Sequence, residues 1–199
     1  MKLSNLILLS ITSIAFFYIQ LWDVQLVTPL YLSLLGICAA YGIYTKNINM
    51  THIAGFIFVL NTIAYVIFET GLINHVTPDE NTLLQSTFIY GVQLLFSIST
   101  VLVLIFRVQL SRILSNSRNI ELTHFDGIFH WLYIYNSIIY LLTLLEDVFY
   151  NSFDMKSWTL IYDNFEGLIY ISWALCCGVL LTMMICSSKD NRKDEVGAL

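Results

Sequence analysis

The chain has 199 residues, of which 57% are hydrophobic and only 12% charged. A soluble domain carries roughly a quarter charged residues; this chain has too little polar surface to clothe a water-soluble globule, whereas lipid tails accept apolar side chains directly. Its 9 basic and 14 acidic residues give a net charge of −5 with no basic cluster before the last stretch of chain, which argues against direct nucleic-acid binding.

A spanning helix needs about 20 mainly apolar residues, and the charge-free runs supply the candidates in order. The first covers residues 3–22. Lys2 before it invites a signal-peptide reading, but Ser13-Ile14-Ala15 is a poor cleavage site and the apolar run continues past it. It is read as a retained first helix that addresses the chain to the bacterial inner membrane. The second run, residues 24–45, places Gly36 and Ala40 four apart, and Cys38 and Gly42 likewise. Such small-residue spacings let helix backbones approach closely. A short connection leads to the third run, residues 47–68, with Asn61 near its middle, and the fourth, residues 81–106, carries Gln93.

Between Arg107 and Asp126 comes the longest connection on that side. Phe106, Leu110, Ile113 and Leu114 recur there at helical spacing, which predicts that helix four continues past the membrane before breaking at residues 115–119. Arg107, Arg112 and Arg118 make this segment a candidate surface for a cytosolic protein partner, although snorkelling at the lipid surface explains them more simply. The fifth run, residues 127–145, carries Asn136. The sixth, residues 167–188, sets Ala174, Gly178, Thr182 and Cys186 on one small-residue stripe. The tail, residues 189–199, is too short and polar to bury a core and is expected to be disordered without a partner.

These runs are apolar all round, as in "FIFVLNTIAYVIF", not alternating as barrel strands are. The expected fold is all-α: a polytopic transmembrane helical bundle of about six spans arranged as three hairpins. Lys2, Lys46, Arg107, Arg112, Arg118, Lys189, Arg192 and Lys193 fall on one side under this scheme, and only Lys156 on the other. By the positive-inside rule both termini are cytoplasmic. Aromatics at the outer ends, such as Trp22, Tyr150 and Trp158, fit an interfacial belt.

Three groups of residues could carry function. Asn61, Gln93 and Asn136 lie mid-span and must face the protein interior, because an amide in hydrocarbon is costly. An interhelical hydrogen-bond cluster outweighs a small polar cavity as the explanation. The outer acids Glu69, Glu146 and Asp147 follow runs three and five; rings of acids attract cations in channels, but solvated helix ends are the plainer reading. His52 and His130 sit at comparable depth and could hold haem, yet the bulky neighbours Phe129 and Trp131 favour interfacial histidines. The four cysteines, Cys38, Cys176, Cys177 and Cys186, lie inside apolar runs and not in outer loops, so they read as packed thiols and not a disulfide framework.

No HExxH, GxSxG, P-loop or GxGxxG motif occurs. Asp126-Gly127 begins like the CDP-alcohol phosphatidyltransferase motif, but the Ala-Arg pair and later aspartates are missing. The chain is therefore read as non-enzymatic and without a cofactor. In length, polytopic character and a short basic cytoplasmic face, the whole chain resembles the membrane subunit of the bacterial Kiwa antiphage system. That resemblance implies a homo-oligomeric inner-membrane sensor that engages a cytosolic DNA-binding effector, and it carries no residue roles. Two readings stand: a sensor or scaffold passing a membrane event to a cytosolic partner, and a small cation channel or small-solute transporter. The thin polar inventory favours the first.

Overall fold

A computed structural model describes residues 3–22, 24–72, 82–115, 120–153 and 157–197, and every regular element among them is helical. The helices are α1 (Leu3–Trp22), α2 (Val24–Tyr44), α3 (Ile48–Glu69), α4 (Thr82–Ile105), α5 (Arg107–Leu114), α6 (Asp126–Phe153), α7 (Leu160–Asp163) and α8 (Phe165–Gly197). Five of them, α2, α3, α4, α6 and α8, contain stretches long and apolar enough to cross a membrane. In α1 the apolar stretch, Leu9–Ile19, is shorter. The protein is a polytopic membrane-spanning helical bundle.

Much of its surface is apolar. Tyr31, Leu35, Met50, Ile53, Ile57, Phe129 and Leu180 are buried, while Ile14, Ile37, Ile43, Leu95 and Leu102 are exposed around the outside. In water the exposed set would be a large unpartnered apolar area; against lipid it is the expected solvent face.

Helix α8 is the axis of the bundle, with Ala174, Cys176, Cys177, Val179, Leu180 and Met183 all buried. It packs chiefly against α1, and also against α6 and α2; α2 packs on α3, and α4 on α6. Close approach depends on glycine at two places. A Cβ on Gly178 would lie 2.0 Å from Ser13 Oγ of α1, and one on Gly42 would lie 2.8 Å from the backbone nitrogen of Thr51. The expected packing stripes are thus placed unequally. Ala174, Gly178 and Thr182 face inward, and the Thr182 hydroxyl donates to the Gly178 carbonyl at 2.7 Å. On α2 the close contact runs through Cys38 and Gly42, whereas Ala40 is exposed and Gly36 has only ordinary contact with Phe58. That corrects the expectation for Gly36 and Ala40, because a four-residue spacing identifies a face but not which neighbour the face meets.

The turn between α2 and α3 is tight. Lys46 takes a left-handed φ of 55°, and the Asn47 side chain caps α3 by accepting from Met50 N–H at 3.1 Å, which satisfies one orphan donor of the first turn. At the other end of α3, Gly71 has φ 65° and its N–H returns to the Phe68 carbonyl at 3.1 Å, a glycine stop of the usual kind.

Two elements run longer than the charge-free runs that predicted them. Helix α6 continues beyond Leu145 through Glu146 and Asp147 to Phe153. Helix α8 continues through the polar tail to Gly197, where disorder was expected; extending an existing helix adds a hydrogen bond per residue without a new nucleus. The break after helix four lies where it was predicted at its start: α5 follows α4 after a turn at Phe106, and Ser115 leaves it with extended backbone.

Candidate functional site: a central cavity above a polar pin

The three mid-span amides share one cavity of about 340 Å³ between α2, α3, α4, α6 and α8. Asn61 comes from α3, Gln93 from α4 and Asn136 from α6, and the wall between them is aromatic, with Tyr31, Phe96, Tyr140 and Trp173 among its residues. Trp173 stacks on Tyr31 with ring centroids 4.8 Å apart and planes 5° from parallel, so this side of the wall is stiff. The cavity reaches Phe68 and Glu69 at the acidic end of α3, where Glu69 is exposed.

Hydrogen bonding divides the polar groups of the site in two. One set forms a one-way chain. Asn61 Nδ2 donates to the Tyr133 hydroxyl at 2.9 Å, that hydroxyl bonds to Tyr31 Oη at 2.9 Å, and Tyr31 donates to Cys176 Sγ at 3.3 Å. The other set has no partner: the carbonyl oxygens of Gln93 and Asn136 are buried and accept nothing. Asn136 is 2% exposed. Buried acceptors are nearly always satisfied, and leaving one bare costs about 1–3 kcal/mol. Asn61 thus joins an interhelical hydrogen-bond cluster, whereas Gln93 and Asn136 leave their carbonyls out of it, and the three amides meet around a space and not each other.

Below the cavity the bundle is filled. Along every helix the buried apolar residues continue from the cavity toward the basic end: Leu35 and Cys38 on α2, Met50 and Ile53 on α3, Leu104 on α4, Phe129 on α6 and Met183 on α8. These packed side chains lie between the cavity and a smaller one of about 200 Å³ at the basic end, lined by Leu104, Arg107, Asp126 and His130.

At the basic end itself sits a second polar cluster, held by an ion pair and several hydrogen bonds, although Arg107 Nε and Ser111 Oγ there make no hydrogen bond. Arg107 is 1% exposed and Asp126 7%. Arg107 Nε lies 2.5 Å from Asp126 Oδ1 in an ion pair, and its Nη2 donates to Asp126 Oδ2 at 2.7 Å, a charge-assisted hydrogen bond. Its other N–H groups reach Asn49 Oδ1 at 2.9 Å and the Glu121 carbonyl at 2.6 Å. Asp126 also accepts from Thr123 N–H at 2.6 Å. One guanidinium thus ties the start of α5 to α3, α6 and the loop before α6. This corrects the placement expected of Arg107: it is turned inward and offers nothing to a partner, because Asp126, counted as a loop residue, is the first residue of α6 and faces it. Arg112 is exposed, and Arg118 lies outside the described residues.

Of the three acids expected at the outer ends, Glu146 and Asp147 are engaged within the fold. Glu146 accepts from the N–H groups of Ile161 at 2.9 Å and Tyr162 at 2.8 Å, holding the start of α7. Asp147 is buried, takes a short hydrogen bond from Ser86 and another from Asn151 at 3.2 Å. Both line a second cavity of about 630 Å³ with Tyr90 and Tyr150. Only Glu69 of the three belongs to the central cavity, so they do not form a ring.

His52 lies against Phe56 and His130 against Trp131. Among the described residues no three His, Cys, Asp or Glu side chains gather as metal ligands would. Sequence reasoning missed Tyr31, Tyr133 and Trp173, since aromatics inside apolar runs carry no distinguishing pattern. It also missed the Arg107–Asp126 pair, for which the signal was available: two opposite charges bounding successive spans at the same membrane level. No protein-family model matches the chain, and neither curated proteins nor solved structures include a significant match.

Proposed function

We propose that this chain is a non-enzymatic sensor or scaffold subunit of the bacterial inner membrane, coupling an event at the outer half of the bundle to a cytosolic partner. The observation that supports it best is the arrangement along the helix axes. A polar cavity near the acidic end is separated by an apolar plug from a pinned basic end. A binding site that stops halfway suits reception of a signal and not passage of a solute. The coupling surface is then α5 and its neighbourhood, where Arg112 stands among exposed Ile113 and Leu114.

Six spans as three hairpins with both termini cytoplasmic complete this reading. Reporter fusions after Lys46 and Ser188 are expected to read cytoplasmic, and fusions after Asp79 and Asp154 exterior; one reversal breaks the scheme. The Kiwa-like character suggests homo-oligomerisation, antiphage defence and a cytosolic partner that itself binds DNA. Copurification from native membranes with Arg112→Glu and Arg118→Glu together tests the surface: partner recovery is expected to fall, and unchanged recovery at low and high salt would remove it. Arg107 is left out because its loss would unpin the fold.

A small cation channel or small-solute transporter is the second reading, favoured by the three amides sharing a cavity. It requires the plug to open. Flux across liposomes carrying the purified chain separates the two: no flux above empty liposomes supports the sensor, and saturable flux supports transport.

A further inference from the structure

The central cavity has the attributes of a ligand site for which the chain supplies only acceptors and faces. Its two bare carbonyl oxygens, on Gln93 and Asn136, need hydrogen-bond donors. Water could supply them, but a site of this size with an aromatic wall also has room for an apolar body. Of the charged side chains among the described residues, only Glu69 lines it, with no Lys, Arg or His to neutralise an anion. Tyr65 and Phe68 line the same end as Glu69, and aromatic faces beside a carboxylate attract a cation. Tyr31 is fully buried under the stack, and the partly exposed Trp173 gives the flat surface on which a ring can lie.

We propose that this cavity binds a small hydroxylated aromatic amine. Its ammonium lies at Glu69, its ring lies against Trp173, and its hydroxyl donates its one proton to the Asn136 carbonyl, leaving that of Gln93 to water. An aromatic carboxylate is refused, because its charge faces Glu69 and bare acceptors with no compensating donor. This deepens the sensor reading and rests on it only for what the bound ligand does next; binding itself is a property of the chain alone.

The test is equilibrium binding of radiolabelled tyramine to the full chain in lipid nanodiscs, with empty nanodiscs as the blank. Saturable binding is expected, displaced by unlabelled tyramine. 2-Phenylethylamine lacks the hydroxyl and is expected to compete about tenfold more weakly, since a site built around a polar contact discriminates against the analogue that lacks it. Tyrosol lacks the ammonium and is expected to be weaker by a similar factor, and 4-hydroxyphenylacetate not to compete at all. Glu69→Gln, at an exposed position, is expected to weaken tyramine about tenfold and leave tyrosol unchanged. Asn136→Leu is expected to abolish binding of both. Absence of saturable binding, competition by 4-hydroxyphenylacetate equal to tyramine, or tyramine binding unaltered in Glu69→Gln would each overturn the assignment. The sensor reading is scored separately by partner copurification without tyramine, so one can fail while the other stands.

Discussion

Two of the buried polar clusters among the described residues lie at different depths and differ in how far their groups are paired. At the basic end Arg107 and Asp126 bond each other, Asn49, Thr123 and the Glu121 backbone, so that the cluster is largely satisfied although Arg107 Nε and Ser111 Oγ lack a hydrogen bond. In the central cavity Gln93 and Asn136 keep carbonyl oxygens that accept nothing. A satisfied buried network locks geometry, while an unsatisfied one is a standing cost that the rest of the fold must offset. The first cluster is therefore read as structure and the second as function.

The comparison breaks most visibly at the pin. Asp126→Ala would leave a buried guanidinium without its counter-charge, and removal of one partner of such a pair costs about 3–5 kcal/mol. A large fall in the thermal midpoint in detergent is expected, together with faster proteolysis of the loop before α6. Replacing both, Arg107→Met with Asp126→Leu, is expected to recover most of that loss. If the single and the double variant are equally unstable, the pair is not the element that holds this end together.

Helix contact comes next. Gly42→Ala pushes a methyl to 2.6 Å from Thr51 Oγ1 and against the Thr51 backbone, where little can give. Overpacking of this kind costs about 1–3 kcal/mol, readable as a lower unfolding midpoint. Gly178→Leu meets α1 in the same way, and Ile171→Ala on the exposed face of α8 is the control. Equal losses at Gly178 and Ile171 would mean that α1 does not lie where the fold places it.

The cavity predicts the opposite sign. Asn136→Leu removes a bare acceptor and fills space, so the chain is expected to gain about 1 kcal/mol, the lower part of the penalty for a buried unsatisfied group, while losing its ligand. A stability gain with lost binding is the signature of a site whose polarity serves function. A loss of stability would show that Asn136 is satisfied after all.

The smallest effect is at the acidic end. Glu146→Gln keeps an acceptor for Ile161 and Tyr162 N–H but loses the charge facing the start of α7, a change of about 0.3–1 kcal/mol. Hydrogen exchange at Ile161 and Tyr162 is expected to quicken while the rest of the bundle is unaffected.

The spans were legible because lipid imposes a simple rule: a helix must satisfy its own backbone and present apolar residues over a fixed length. The charge-free runs therefore located α1 to α4 closely, and Asn61, Gln93 and Asn136 stood out as residues that had to face inward. The ends of α6 and α8 were less legible, because a charge stops the membrane but not the helix. What the amino-acid order could not decide was which inward-facing groups meet. Arg107 and Asp126 bound successive spans at one level, which makes them candidates for a pair, and the fold then selects Asp126 over other partners by placing it at the first turn of α6. Tyr31 and Cys176 come together only because α8 threads the middle of the bundle. The amides had equal claim to bond one another, and the helix crossings hold them apart around a cavity instead. Hydropathy acts residue by residue and is written along the chain; hydrogen-bond partnership is a property of distances between helices, which only the packed bundle sets.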